Sequence, residues 1–220
     1  NTATTKIGDV VLEVRDLHVY SNDNVKRPLV KGVSFDLHEG EILGVFGLLG
    51  SGKTEVAMAL YGAWQGAHTG EVKINGKPGN FKHVKEAMAA GMGLLPEDRR
   101  ESLMNVRSIK ENMSIVFLER LRTKLGTLDA SLEQQTVYEL RDRLKLKTRT
   151  LDDMPSTLSG GNKQKILIAR LLGAQSRIII VDEPTIGVDI NTRQDIYNTL
   201  MELAEKEKCA ILFFSSDIEE

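Results

Sequence analysis

Short apolar runs bounded by glycine and polar turns occupy both ends of this chain, and the middle is charged with apolar residues only at helical spacing. Residues 10–14 and 34–37 read as strands. Residues 41–46 carry Ile42, Leu43, Val45 and Phe46 and stop at Gly47. A glycine-rich turn follows, and then Val56, Ala59 and Leu60 fall at i, i+3 and i+4, one face of a helix. Residues 71–74 read as a strand closed by an Asn75-Gly76 hairpin turn, residues 84–90 as a helix and residues 92–95 as a short buried strand.

From about residue 98 to 158 no convincing strand occurs. Ile109, Met113 and Phe117 recur at helical spacing, and so do Val137, Leu140 and Leu144. This stretch reads as a helical subdomain inserted into a sheet; the alternative is a set of crossover helices packed on that sheet. Alternation then resumes: a helix over 162–172, a buried strand over 177–181, a helix over 191–207 and a buried strand over 210–214. The class expected is α/β, with a mainly parallel, helix-covered sheet that binds ligands at the carboxyl ends of its strands.

Composition narrows the class without naming a function. The 220 residues suffice for one α/β domain with a subdomain, and fall short of two full domains. Apolar residues make up 41% and charged residues 27%, as in ordinary globular chains. A net charge of −2 gives no general attraction to nucleic acid or to an anionic membrane, so no nucleic-acid partner is expected. Cys209 is the single cysteine, which precludes an intrachain disulfide and suits a reducing compartment. No run of about 18 apolar residues is present to span a membrane.

Gly47-Leu48-Leu49-Gly50-Ser51-Gly52-Lys53-Thr54 matches the P-loop pattern in full. Such a loop wraps its backbone N–H groups around a phosphate, and glycine permits both the dihedrals and the close approach. Lys53 is suited to the β and γ phosphates and Thr54 to Mg²⁺. A chance glycine-rich turn is the bland alternative, and the strand before and helix after weigh against it. The run Ile178-Ile179-Ile180-Val181 ends in Asp182-Glu183. Beside a P-loop, an Asp in that position holds the metal and the following Glu can reach an attacking water.

Leu158-Ser159-Gly160-Gly161-Asn162 reads either as a helix N-cap or as a signature sequence. It lies after the helical stretch and about 20 residues before Asp182-Glu183, and here the chain resembles the ATP-binding cassette family over essentially its whole length. The resemblance implies a P-loop NTPase fold with an antiparallel β subdomain and an inserted helical subdomain at about 98–158, and ATP with Mg²⁺ as cofactors. It implies that Ser159, Gly160 and Gly161 meet the γ-phosphate of a nucleotide held by a second cassette. Asp189 matches a loop at the same interface. Tyr20 matches an aromatic that stacks on adenine, or is an ordinary strand-end tyrosine. Together with Pro96-Glu97-Asp98-Arg99-Arg100 and Asp182-Glu183-Pro184-Thr185-Ile186-Gly187-Val188-Asp189, these motifs are similar to the second cassette of two-cassette ATPase subunits in bacterial monosaccharide importers. Residues 1–220 would then form one nucleotide-binding domain of a longer two-cassette chain, as an N-terminal Asn1 in place of Met also suggests. Such a subunit works peripherally on the cytoplasmic face of the inner membrane. Its partners are the second cassette, a membrane permease and, indirectly, a periplasmic sugar-binding protein.

Two departures from the general cassette pattern matter. Glu97 stands where a glutamine is usual, near metal and water, and Ser216 stands where a γ-phosphate histidine is usual. Both weaken the expectation of hydrolysis at this half's own site, whereas Lys53 and Glu183 are retained. Two rivals stay open: a nucleotide-binding regulatory half with little turnover, and a soluble cassette ATPase unconnected with transport. His18, His38, His68 and His83 lack metal-ligand spacing and read as surface residues. Cys209 and Trp64 read as packing residues.

Overall fold

Strand-forming runs pair into two four-stranded sheets in a computed structural model that describes residues 8–21, 27–97, 102–186, 188 and 190–217. Two compact units result. The first is built from the described parts of Asn1–Leu95, Ser176–Pro184 and Leu200–Glu220. Its antiparallel sheet has the order β2-β1-β4-β5, with β1 Val10–Tyr20, β2 Pro28–His38, β4 His68–Ile74 and β5 Lys77–Pro78. Asn75 and Gly76 turn β4 into β5 at φ 49° and 73°, the paired positive dihedrals that a two-residue hairpin of this sequence requires.

The other sheet is entirely parallel, in the order β3-β8-β7-β6, with β3 Ile42–Phe46, β6 Met92–Leu95, β7 Ile178–Asp182 and β8 Ala210–Ser215. Every residue of β7 and β8 is buried, as expected of central strands in a helix-covered parallel sheet. Helix α1 (Lys53–Leu60) contributes Val56, Ala57, Ala59 and Leu60 to a core shared by both sheets. A second helix, α2 (Val84–Ala89), precedes β6. Cys209 is buried, and Trp64 packs at the edge of this core with its indole N–H donating to Tyr20 O at 3.0 Å.

The second unit comprises the described parts of Pro96–Gln175 and Thr185–Thr199. It contains α3 (Ile109–Ser114), α4 (Ala130–Arg143), α5 (Gly160–Gly173) and the first part of α6 (Ile190–Glu207). Ile109, Met113 and Phe117 are all buried, although α3 ends at Ser114 and the chain passes through Phe117 in a tighter 3-10 stretch, Ile115–Leu121. Asn112 forms the polar centre. Its fully buried amide donates to the carbonyls of Met104, Arg107 and Ser108, and Arg170 donates to Asn112 Oδ1 and O. Burial pulls the Arg170 guanidinium down to about 10, so it stays charged at neutral pH.

Gly173, the last residue of α5, is a packing glycine. A Cβ there would overlap the Phe117 ring, and Arg120 donates to the Gly173 carbonyl. Gly173→Ala should therefore lower stability despite alanine's better helix propensity. Overpacking costs about 1–3 kcal/mol, which for a chain of this size is a fall of roughly 2–12 °C in Tm by differential scanning calorimetry. An unchanged or raised Tm would contradict this packing.

Candidate nucleotide site

The glycine-rich loop is held open by its two ends. Gly47 N–H donates to Ser215 O at the end of β8 (3.1 Å), and Ser51 N–H donates to Leu48 O (3.0 Å). Gly52 sits at φ 94°, and a Cβ there would stand 2.6 Å from Val30 Cγ2, so both backbone and space demand glycine. Gly50 also has positive φ, 78°, with open space beside it. Helix α1 then begins at Lys53 with no side-chain cap, leaving first-turn N–H groups and a positive helix end at the loop. Thr54 is half-buried in that first turn, and Ser51 is exposed.

Lys53 is folded back into the loop. Its Nζ donates to Gly47 O and to Leu48 O (3.1 Å) and lies 3.6 Å from Glu183 Oε1. The two side chains are only 9% and 5% exposed. At 3.6 Å the pair is ionic without a hydrogen bond, and two of the three ammonium hydrogens go to the two carbonyls. Such a buried pair adds little net stability, but removing either partner strands the other charge. Asp182 ends β7, 2% exposed, directly before Glu183.

Glu183 has φ 47°, a left-handed conformation that costs a non-glycine residue of order 1–3 kcal/mol, and its N–H donates to Phe214 O at 3.1 Å. Strain of this kind gathers where a side chain must be aimed, and nothing in the amino-acid pattern announced it. Among the described residues no group of three or more His, Cys, Asp or Glu could hold a metal by itself. Oxygen donors such as the Thr54 hydroxyl and the Asp182 carboxylate suit part of the shell of a Mg²⁺ carried mainly by phosphates and water.

The other predicted residues are distributed as follows. Tyr20 ends β1 half-buried, its ring stacked on His18 with centroids 6.5 Å apart. Ser216 is half-buried just after β8, next to the residue whose carbonyl anchors Gly47. Glu97 is exposed, two residues beyond β6. Asp189 lies outside the described residues. Only His83 among the four histidines is exposed. His18, His38 and His68 are half-buried, because they alternate along strands, and His18 and His38 pair with Asp16 (3.0 Å) and Glu41 (2.9 Å).

Ser159 occupies the N-cap position of α5, but its hydroxyl caps no helix N–H. Ser159 Oγ instead accepts from Asn162 Nδ2 at 3.0 Å, and Asn162 Oδ1 accepts from Lys147 N at 3.0 Å. A Cβ on Gly161 would stand 2.7 Å from Thr192 Cγ2, so α5 starts tightly against the first turn of α6. Asn162 and Thr192 were not singled out from sequence. An amide in the first turn of a glycine-led helix was the available signal for Asn162.

The chain is 38% identical over 215 residues to a xylose import ATP-binding protein, XylG, of Pectobacterium atrosepticum, covering 97% of this chain and 42% of that protein. It is 39% identical to the XylG of Pseudomonas fluorescens, covering 97% and 41%. The chain thus spans about two fifths of the length of these relatives. Its fold matches that of an ATP-binding cassette solved as a dimer in a post-hydrolysis state with ADP and Pi bound, at TM-score 0.77 and 22% identity over 94% of this chain and 89% of that one. A family model described as ABC transporter matches residues 30–186, well over half of the sequence, and takes in the P-loop, the Ser159-Gly160-Gly161 turn and the Asp182-Glu183 pair on their respective elements. The chain belongs to the ABC transporter family.

Proposed function

We propose that this chain is a nucleotide-binding cassette that binds MgATP and, with a second cassette, hydrolyses it to drive a monosaccharide importer of the xylose type. The observation that carries this reading is the convergence of Lys53 and Glu183 within 3.6 Å at the mouth of an uncapped, glycine-led helix. A phosphate-binding lysine and a buried, strained carboxylate in one place are what phosphoryl transfer to water asks of a protein. Support for the sugar comes from the xylose import proteins to which the chain is 38–39% identical.

In this reading Lys53 leaves the loop carbonyls for the β and γ phosphates, and the N–H groups of residues 47–54 cradle them. Thr54 and Asp182 would hold Mg²⁺, which when bound would neutralise charge on the phosphates. Glu183 orients the attacking water and accepts its proton. Ser216 lies by the γ-phosphate with a neutral hydroxyl, and Tyr20 offers its ring to adenine. Ser159, Gly160 and Gly161 serve the nucleotide of the partner cassette. Coupling to a permease would occur by docking at the cytoplasmic face; among the described residues no helix is long and apolar enough to cross a membrane.

The complete two-cassette protein, reconstituted with its permease and sugar-binding protein, should couple xylose uptake to ATP hydrolysis. Stoichiometric MgATP binding without sugar-dependent hydrolysis would remove the importer assignment and keep the cassette. Absence of MgATP binding would remove both.

A further inference from the structure

We infer that Asn162 is a positioning residue that turns the Ser159 hydroxyl into an outward hydrogen-bond donor. The inference rests on the reading that the start of α5 meets phosphate oxygens of a nucleotide held by a second cassette.

The amide orientation is fixed by chemistry. A backbone N–H can only donate, so the Asn162 atom 3.0 Å from Lys147 N must be the carbonyl oxygen Oδ1. The atom 3.0 Å from Ser159 Oγ is therefore the amide nitrogen Nδ2, which can only donate. Ser159 Oγ accepts that hydrogen, and its own hydrogen is left to point elsewhere. The alternative use of this oxygen, accepting an N–H of α5 as an N-cap, is not made. Ser159 is exposed and Asn162 half-buried, so the hydroxyl stands at the surface with its direction set from behind. A donor aimed outward beside the positive end of a 14-residue helix suits an anionic oxygen.

Lys147 lies in the segment that follows α4, where buried Leu144 and Leu146 alternate with exposed Arg143, Lys145 and Lys147. Asn162 ties that segment to α5. A purely structural role would need only this tie, whereas the positioning role needs the donor end of the amide.

The two roles make opposite predictions for isosteric replacement. Asn162→Asp keeps an acceptor for Lys147 N–H and keeps the shape, but replaces the donor with a carboxylate oxygen. That oxygen draws the Ser159 hydrogen back toward itself and sets a negative charge beside the phosphates. Asn162→Ala loses the tie and leaves the hydroxyl free to rotate. In the complete two-cassette protein, Asn162→Asp should lower kcat for ATP by about 10- to 100-fold, the scale of one misplaced transition-state donor. Asn162→Ala should lower it by no more than about threefold, and Asn162→Asp should keep the wild-type Tm and the MgATP affinity measured by titration. In a Ser159→Ala background the added effect of Asn162→Asp should shrink to its charge alone, a few-fold. An Asn162→Asp protein as active as wild type, with Asn162→Ala the worse of the two, would overturn the positioning role. If Ser159→Ala and Ser159→Arg both left hydrolysis unchanged, the underlying reading of α5 would fail instead, so the two failures are distinguishable.

Discussion

Ser159→Arg should bring ATP hydrolysis by the complete two-cassette protein to near background while MgATP binding at Lys53 persists. Ser159 is exposed at the N-cap position of α5, and the next two residues are glycines. Nothing bulky stands at this helix start. Behind it there is no room to retreat, because Gly161 already touches Thr192 closely enough that even a Cβ would collide. A long cationic side chain must therefore project outward, into the space that the proposed reading gives to the partner cassette's nucleotide. Binding at this half is spared because Gly47–Thr54, Asp182 and Glu183 are unaltered. Glu183→Gln should behave differently. A working general base is worth roughly 10²–10⁴ in rate. In the proposed reading the site served by Glu183 has Ser216 where an imidazole is usual, so Glu183→Gln should cost only a few-fold of total turnover. Steady-state ATPase of both variants in the reconstituted importer decides the matter. Equal, near-complete loss in both would show two obligatory sites and end the asymmetry.

The parts of this site that were readable in the sequence are those governed by local rules. A P-loop is a string of backbone demands, and Gly50 and Gly52 at positive φ meet them as the motif requires. The parallel strands were readable because Ile178–Asp182 and Ala210–Ser215 are apolar on both faces. What escaped was set by long-range contact. The left-handed backbone of Glu183 depends on its N–H reaching Phe214 O, 31 positions along the chain. Helical spacing placed Phe117 correctly in the core but missed the 3-10 turn, because the Phe117 ring packs on a glycine 56 positions away. The histidines are a local case: strand alternation half-buries His18 and His38, and each pairs with a carboxylate only two or three positions away, Asp16 and Glu41.

Lys53→Ala should remove most MgATP affinity, and the geometry explains why the loss exceeds that of one contact. Lys53 Nζ lies among the carbonyls of Gly47 and Leu48 and 3.6 Å from a carboxylate that is 5% exposed. In the nucleotide-bound state the same charge must face phosphate oxygens. Losing a hydrogen bond to a charged group costs about 1.5–3 kcal/mol, or roughly 10- to 150-fold in affinity. The alanine variant adds a second term. With its cation gone, Glu183 presents an uncompensated negative charge at the mouth of the loop, and an incoming triphosphate meets repulsion where it met attraction. Lys53→Arg separates the two terms: guanidinium keeps the charge beside Glu183 but is too broad to sit as a point donor among the loop carbonyls. The expected order of affinity by calorimetric titration is wild type, then arginine, then alanine, with alanine at least about 100-fold weaker than wild type. If the alanine variant bound MgATP as tightly as wild type, the phosphates would have to sit elsewhere, and the assignment of Lys53, Thr54 and Glu183 to this site would fall together.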